Sequence, residues 1–126
     1  GNSGLKRRFP YWISFTNYNH DDFVEIFKLM LKGMNSIMDD NLIASKPFND
    51  LLTSYADPHS NAGGVRNLVE ALVLARDSRL RSLGTNVSND DLVRITDKDL
   101  VTVYKRRVED LKKEKEYSRD KEEFEE

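Results

Sequence analysis

The stretch that decides the fold is Asn61-Ala62-Gly63-Gly64-Val65-Arg66-Asn67-Leu68, which leads into the longest helical pattern of the sequence. Two adjacent glycines favour a loop, and apolar residues then recur at helical spacing from about Val65 to Leu83, where Gly84 is expected to end the helix. Arg66 would lie in the first helical turn, beside free backbone N–H groups and the positive end of the helix dipole. Such a position suits an anion, phosphate in particular. The alternative is a tight glycine turn that leaves Arg66 as a solvated surface charge.

Two further helices are predicted before this stretch. The first follows the polar capping segment Asn19-His20-Asp21-Asp22, with Gly33 near its end. Its apolar positions are Phe23, Ile26, Phe27, Met30, Leu31 and Met34. The second begins near Ser45, with Pro47 in its first turn. Its apolar face consists of Phe48, Leu51, Leu52 and Tyr55.

Two helix-start signals follow the long helix. Ser88 with Asp91, and Thr96 with Asp99, both have the spacing of a capping box. The second signal opens a helix with its apolar side formed by Leu100, Tyr104, Val108 and Leu111. From Lys112 to the end the sequence is a mixed-charge run, which predicts a solvated helical extension or a frayed tail.

The segment before Asn19 has a different character. Lys6, Arg7 and Arg8 form a basic cluster, and Tyr11 to Phe15 has the aromatic and β-branched composition of a short strand. No second strand is recognisable, so this one would pair with something outside the chain or lie extended against the helices. The predicted fold is therefore mainly all-α: a small bundle of about four main helices with a short N-terminal strand or extended segment.

Composition limits the possible functions. The 126 residues fit one domain, and a net charge of -2 argues neither for nor against a nucleic-acid partner, which only a local basic patch could indicate. No cysteine is present and only two histidines occur, His20 and His59, so thiol catalysis and a histidine-rich metal site are excluded and no metal ligands are assigned. No apolar run reaches the length of a membrane span. These features predict a soluble protein, or a soluble piece of one, in the cytoplasm or another reducing compartment, with no membrane partner.

Catalytic motifs are missing from the sequence. There is no glycine-rich turn ending in Lys-Ser or Lys-Thr, which a P-loop requires. The acidic pairs Asp21-Asp22, Asp39-Asp40 and Asp90-Asp91 are interpreted as helix starts or surface charges. The chain alone is therefore expected to be inactive as an enzyme.

Two arginine-containing segments carry a resemblance. Gly4-Leu5-Lys6-Arg7-Arg8-Phe9, followed by an extended segment and an acidic helix start, resembles the arginine-finger region of AAA+ ATPases. Ala62-Gly63-Gly64-Val65-Arg66-Asn67 resembles their sensor-2 motif. Over about residues 2–105 the order and spacing are similar to the C-terminal part of the family that includes red-type Rubisco activase, stage V sporulation protein K and the type VII secretion ATPases.

The resemblance implies a division of the chain. Residues 1–18 would end the large nucleotide-binding subdomain, residues 19–111 would form the helical lid, and residues 112–126 would be the charged extension. The predicted strand at Tyr11 to Phe15 would then belong to a sheet whose other strands precede this sequence.

The resemblance also implies site residues and partners. Arg8, with Arg7 as the alternate, would be the arginine finger that reaches a neighbouring subunit's γ-phosphate. Arg66, with Gly64 and Val65, would form the sensor-2 contact to nucleotide in the same subunit. The cofactor would be ATP with Mg²⁺ in the complete enzyme, without tight binding to this fragment alone. Its partners would be the large subdomain, the neighbouring subunits of a homo-hexamer, and a protein client that the sequence does not identify.

One departure and two alternatives accompany this interpretation. Related proteins often have a basic residue where Gly63 stands here, so one contact to nucleotide would be missing. The main alternative is a stand-alone helical module that binds a protein through an apolar groove and has no nucleotide role. A nucleic-acid-binding domain is the third candidate, but a single basic cluster at residues 6–8 is weak support for it.

Overall fold

The computed structural model of the chain describes residues 19–56, 61–84 and 86–125. The order of elements is α1 (His20–Gly33), β1 (Ile37–Met38), α2 (Asp40–Ile43), α3 (Lys46–Tyr55), α4 (Asn61–Leu83), α5 (Asn89–Val93), β2 (Arg94–Ile95) and α6 (Asp97–Glu125). The prediction of a mainly α-helical domain is confirmed. The strand predicted at Tyr11 to Phe15 lies outside the described residues.

Helix α4 is the element on which the other long helices pack, because α1, α3 and α6 all contact it. Its buried side chains recur at three- and four-residue spacing, so one continuous stripe faces the core. In the same core, Phe27 of α1 and Phe48 of α3 meet edge to face with ring centroids 4.8 Å apart, a favoured aromatic geometry. The buried stripe of α4 consists of Val65, Leu68, Val69, Leu72 and Ala75.

Two of the predicted helix starts are confirmed as reciprocal caps. The Asn19 side chain accepts a hydrogen bond from the Asp22 N–H at 2.9 Å, and the Asp22 carboxylate accepts from the Asn19 N–H at 3.0 Å. Ser88 and Asp91 make the same pair of bonds at the start of α5, each at 3.1 Å. Each pair satisfies two backbone donors that a helix start otherwise leaves free.

The end of α1 is set by Asn35 rather than by a glycine. Helix α1 does end at Gly33, as predicted, but the residue with left-handed backbone geometry is Asn35, with φ of 53°. The Asn35 N–H donates to the Lys32 carbonyl at 3.0 Å and the Ser36 N–H donates to the Leu31 carbonyl at 3.1 Å. This is the Schellman arrangement, and asparagine tolerates its left-handed position better than most residues do.

The expectation that no strand follows the N-terminal segment is wrong. Strands β1 and β2 pair in parallel, with Ile37 opposite Arg94 and Met38 opposite Ile95. Helix α2 was also not predicted. The Arg94 guanidinium reinforces the pairing because it contacts both Asp39 and Asp90, and it holds the pKa of the Asp90 carboxyl below its ordinary value. Two-residue strands carry no sequence periodicity, and their pairing joins segments more than fifty residues apart.

A buried ion pair joins α4 to the start of α6. Asp99 is 1% exposed and receives two hydrogen bonds from the Arg79 guanidinium, at 2.8 and 3.0 Å. The same carboxylate accepts from the N–H and the hydroxyl of Thr96. Thr96 and Asp99 therefore interact as predicted, and Asp99 has the additional role of anchoring α6 to α4.

Helix α6 extends far beyond the core. Residues 112–125 continue it as a helix, which is one of the two forms predicted for the charged segment. Arg107 anchors it to α3, because its guanidinium lies 4.4 Å from the ring centroid of Tyr55 and donates to the Ser54 carbonyl at 2.8 Å. Burial raises the pKa of Tyr55, and the Arg107 charge offsets part of that rise.

Candidate functional site

Arg66 does not lie in the first turn of its helix. Helix α4 begins at Asn61, so Gly63 and Gly64 are helical and the predicted loop at this glycine pair is wrong. A helix leaves its first four N–H groups without an internal acceptor, which here include those of residues 61–63. Arg66 lies in the second turn, after these free N–H groups.

The packing of the helix explains its earlier start. Glycine disfavours a helix interior by about 1 kcal/mol, which is why the pair predicted a loop. Val65 and Leu68 are both fully buried in the core, and each contributes about 1.5–3 kcal/mol when it leaves water. This gain exceeds the glycine penalty, so the first turn stays helical.

The three residues assigned to the site differ in what they can contribute. Val65 is 0% exposed and its side chain belongs to the core, so it cannot contact a ligand. Gly64 is also buried. Arg66 is exposed. Of this set, the guanidinium of Arg66 is the group that is available to a ligand.

A surface cleft of about 340 Å³ lies beside Arg66. One wall is the last turn of α1 and the other is the second and third turns of α4. Most of its lining is apolar, and Glu70 stands four residues after Arg66 on the same helix. The lining residues are Met30, Gly33, Met34, Arg66, Val69 and Glu70.

The Arg66 guanidinium makes no hydrogen bond or ion pair with any residue that the structure describes, and Glu70 lies beyond ion-pair distance. Four other arginines are engaged inside the domain instead. Those four are Arg76, Arg79, Arg94 and Arg107. No residue in the described part of the bundle therefore pairs with the charge of Arg66.

The wall of the cleft formed by α1 is held in place by a buried arginine that the sequence analysis missed. Arg76 is 7% exposed and donates to the Ser36 hydroxyl at 2.8 Å and to the Val93 carbonyl at 3.1 Å. The Ser36 hydroxyl in turn donates to the carbonyl of Met34, a cleft residue. One signal for this role of Arg76 was present in the sequence. Arg76 directly follows Ala75, which belongs to the buried stripe of α4.

The chemistry of the cleft is that of binding. It combines one permanent positive charge with thioether and aliphatic surface, which suits a ligand that has both an anionic and an apolar part.

Within the described ranges, no group of three or more His, Cys, Asp or Glu side chains is placed to hold a metal ion. No helix in those ranges is long and apolar enough to cross a membrane. Arg7 and Arg8 lie outside the described residues, so their assignment remains a prediction.

Comparison with known proteins gives one positive result. The family model described as AAA lid domain matches residues 19–115. No curated protein and no solved structure matches the chain. The matched range begins at the capping residue of α1 and ends within α6, so it contains the whole bundle and the Arg66 cleft.

Proposed function

The chain belongs to the AAA lid domain family, and we propose that it forms the lid of an AAA+ ATPase that closes over ATP and passes the state of the nucleotide on as a rigid-body movement. The family match supports the lid assignment. Helices α1, α3 and α6 all pack on α4. This packing supports movement of the lid as one rigid body, because a packed core resists internal deformation.

The observation that carries the nucleotide role is that the exposed guanidinium of Arg66 makes no hydrogen bond or ion pair with any residue that the structure describes. A charged side chain without a partner among those residues is available to an anion from another part of the protein. In this proposal Arg66 acts as sensor 2 and contacts a phosphate of ATP held by the large subdomain. Arginine suits this role because its planar fork binds phosphate oxygens in two places at once and stays charged at all working pH values.

The residues of the cleft can contact only one side of a bound nucleotide. Arg66 supplies a cation for phosphate, and Met30 and Met34 supply apolar surface beside it. ATP supplies the phosphoryl group and its charge, and the large subdomain would have to supply the P-loop and the Mg²⁺ ligands. Glu70 would repel a phosphate placed near it, so the phosphate is expected on the side of Arg66 away from Glu70.

The proposal extends to the assembly. Arg8, with Arg7 as the alternate, would reach the nucleotide of a neighbouring subunit as an arginine finger, and the working form would be a homo-hexamer that remodels a protein client. These statements rest on the resemblance of residues 4–9 to the arginine-finger segment. Substitution of Arg8 by Ala should then abolish ATP turnover, whereas Arg66→Ala should leave a measurable remainder.

The test of the central proposal is Arg66→Ala in the full-length protein. ATP turnover is measured at saturating ATP, and the affinity for a fluorescent ATP analogue is measured separately. Loss of a charge-assisted contact to phosphate removes about 1.5–3 kcal/mol, so turnover or affinity should fall by about 10- to 100-fold.

Arg81→Ala is the matched control, because Arg81 is also exposed on α4 but lies outside the cleft. This variant should keep wild-type turnover and affinity. Equal kinetics for Arg66→Ala and wild type would contradict the nucleotide role of Arg66.

A further inference from the structure

Helix α6 carries a second apolar stripe on its surface. Val101, Tyr104, Val108 and Leu111 follow one another at spacings of three, four and three residues, and we call these four residues the α6 seam. Val101 is 49% exposed and Val108 is 38% exposed. Tyr104 and Leu111 are half-buried. This 3-4-3 spacing is that of the a and d positions in a coiled coil.

The outer side of the α6 seam, formed by Val101 and Val108, is distinct from the face by which α6 joins the bundle, whereas Tyr104 also packs against the core. That face consists of Leu100 and Val103, which are buried, and of Arg107, which packs on Tyr55. At 100° per residue, the exposed valines lie about 115° around the helix from the middle of this face. The core formed by the described residues therefore leaves the seam's outer side uncovered.

Lysines border the seam on its solvent side. Lys105 and Lys112 each follow a d-type residue, Tyr104 and Leu111, by one position, and both lysines are exposed. Seven residues separate them, so they stand on one line along the helix. Positive charge thus borders the apolar strip along this side.

We propose that the α6 seam binds an amphipathic helix of a partner protein that carries acidic residues beside its own apolar stripe. Charge complementarity selects this occupant, because glutamates on a facing helix would pair with Lys105 and Lys112. A second copy of this chain is disfavoured because, in an antiparallel pair, the two lysine rows would face each other.

Membranes and nucleic acids fit the surface less well. Between Lys105 and Glu116 the helix carries six basic and four acidic side chains, so the basic residues are interrupted rather than continuous. A polyanion would meet Glu109 and Asp110 along with the lysines, whereas a helix with a matched pattern contacts the seam alone.

The test uses the 126-residue chain and a fluorescent helical peptide of about 21 residues, three heptads, with leucine at a and d and glutamate at e and g. Binding is followed by fluorescence anisotropy. We expect saturable binding that weakens as salt rises from about 0.05 M to about 0.5 M, since screening shortens the range of exposed charges. A peptide with lysine in place of each glutamate should not bind.

The double variant Lys105→Glu with Lys112→Glu should bind the acidic peptide about tenfold more weakly and should bind the lysine peptide instead. Lys113→Glu is the matched control. Lys105 and Lys113 are both exposed and both lie four residues from Glu109, so the two positions have a matched local charge, but Lys113 points away from the seam. Circular dichroism verifies that each variant is folded.

Several results would overturn the proposal. These are no saturable binding of the acidic peptide, equal binding of the acidic and lysine peptides, or an equal loss of binding in Lys113→Glu. Binding only to vesicles that contain about 30% anionic lipid would assign the surface to membranes instead. Self-association that Val108→Lys abolishes would assign it to a second copy of the chain.

Discussion

At the scale of single residues, the backbone position with the clearest energetic consequence is Asn35. Its φ of 53° places it in the left-handed region, and the two hydrogen bonds that close α1 depend on that geometry. The next residue, Ser36, accepts the hydrogen bond from Arg76, so the end of α1 and the wall of the Arg66 cleft are set together. The sequence drew attention to Gly33, because glycine is the usual residue at a helix end, whereas the polar asparagine two positions later adopts the turn.

Substitution of Asn35 by alanine should lower the free energy of unfolding by about 1 kcal/mol, because a Cβ without a local hydrogen-bonding group disfavours left-handed geometry. Asn35→Gly should be neutral or slightly stabilising, since glycine adopts positive φ freely. Urea denaturation of the two variants and wild type measures the difference. Equal destabilisation by alanine and glycine would show that contacts of the asparagine side chain, and not its tolerance of positive φ, account for the contribution of Asn35 to stability.

At the scale of elements, the long helices and the start of α5 were predictable, whereas α2 and the two strands were not. The core faces of α1 and α3 largely follow from apolar spacing, and the caps at Asn19 and Ser88 follow from polar residues three positions before an acid. The predicted inward position of Val108 on α6 is wrong, because this side chain is 38% exposed. Helix α2 and the two strands contain two to four residues each, too few to show a period. The start of α4 was misplaced because local glycine propensity was outweighed by burial of Val65 and Leu68, which only tertiary packing reveals.

Gly63→Ala tests the corrected start of α4. Gly63 is exposed and no atom lies within 4 Å of the position that a Cβ would take, so alanine should fit and raise the free energy of unfolding by about 0.5 kcal/mol. The same substitution at Gly84, where φ is +72°, should lower it by about 1 kcal/mol. Thermal and urea unfolding measure whether each substitution raises or lowers the free energy of unfolding. Destabilisation by Gly63→Ala would mean that residue 63 is not helical in solution.

At the scale of the whole molecule, the candidate site depends on contacts between distant segments. The sequence indicated Arg66 as the candidate site residue on α4, and this assignment stays a prediction. It did not identify the opposite wall at Met30 and Met34, nor Arg76, which connects that wall to Val93. Such contacts join positions 17 to 40 residues apart, and no local pattern encodes them. The same is true of the Arg79–Asp99 pair, in which the capping role of Asp99 was predictable and the ion pair was not.

Loss of Asp99 should weaken the whole bundle. Asp99→Ala leaves Arg79 without its buried partner and frees the Thr96 N–H, so the free energy of unfolding should fall by about 3 kcal/mol or more. Asp97→Ala is the control, because Asp97 is exposed in the same helical turn, and it should cost less than about 1 kcal/mol. The double variant Arg79→Met with Asp99→Leu should be less destabilised than Asp99→Ala. If the double variant is destabilised as much as Asp99→Ala or more, the pair stabilises the fold through the attraction between its charges and not by satisfying buried polar groups.

The length of α6 gives small rotations a large effect. Its 29 residues span about 43 Å, and Arg79 and Arg107 clamp its first third to the bundle. If the bundle tilts by about 10° in the proposed lid movement, the far tip of this rod sweeps about 7 Å. Under that proposal the long helix would convert a slight reorientation at the nucleotide into a displacement large enough to break or make a contact elsewhere.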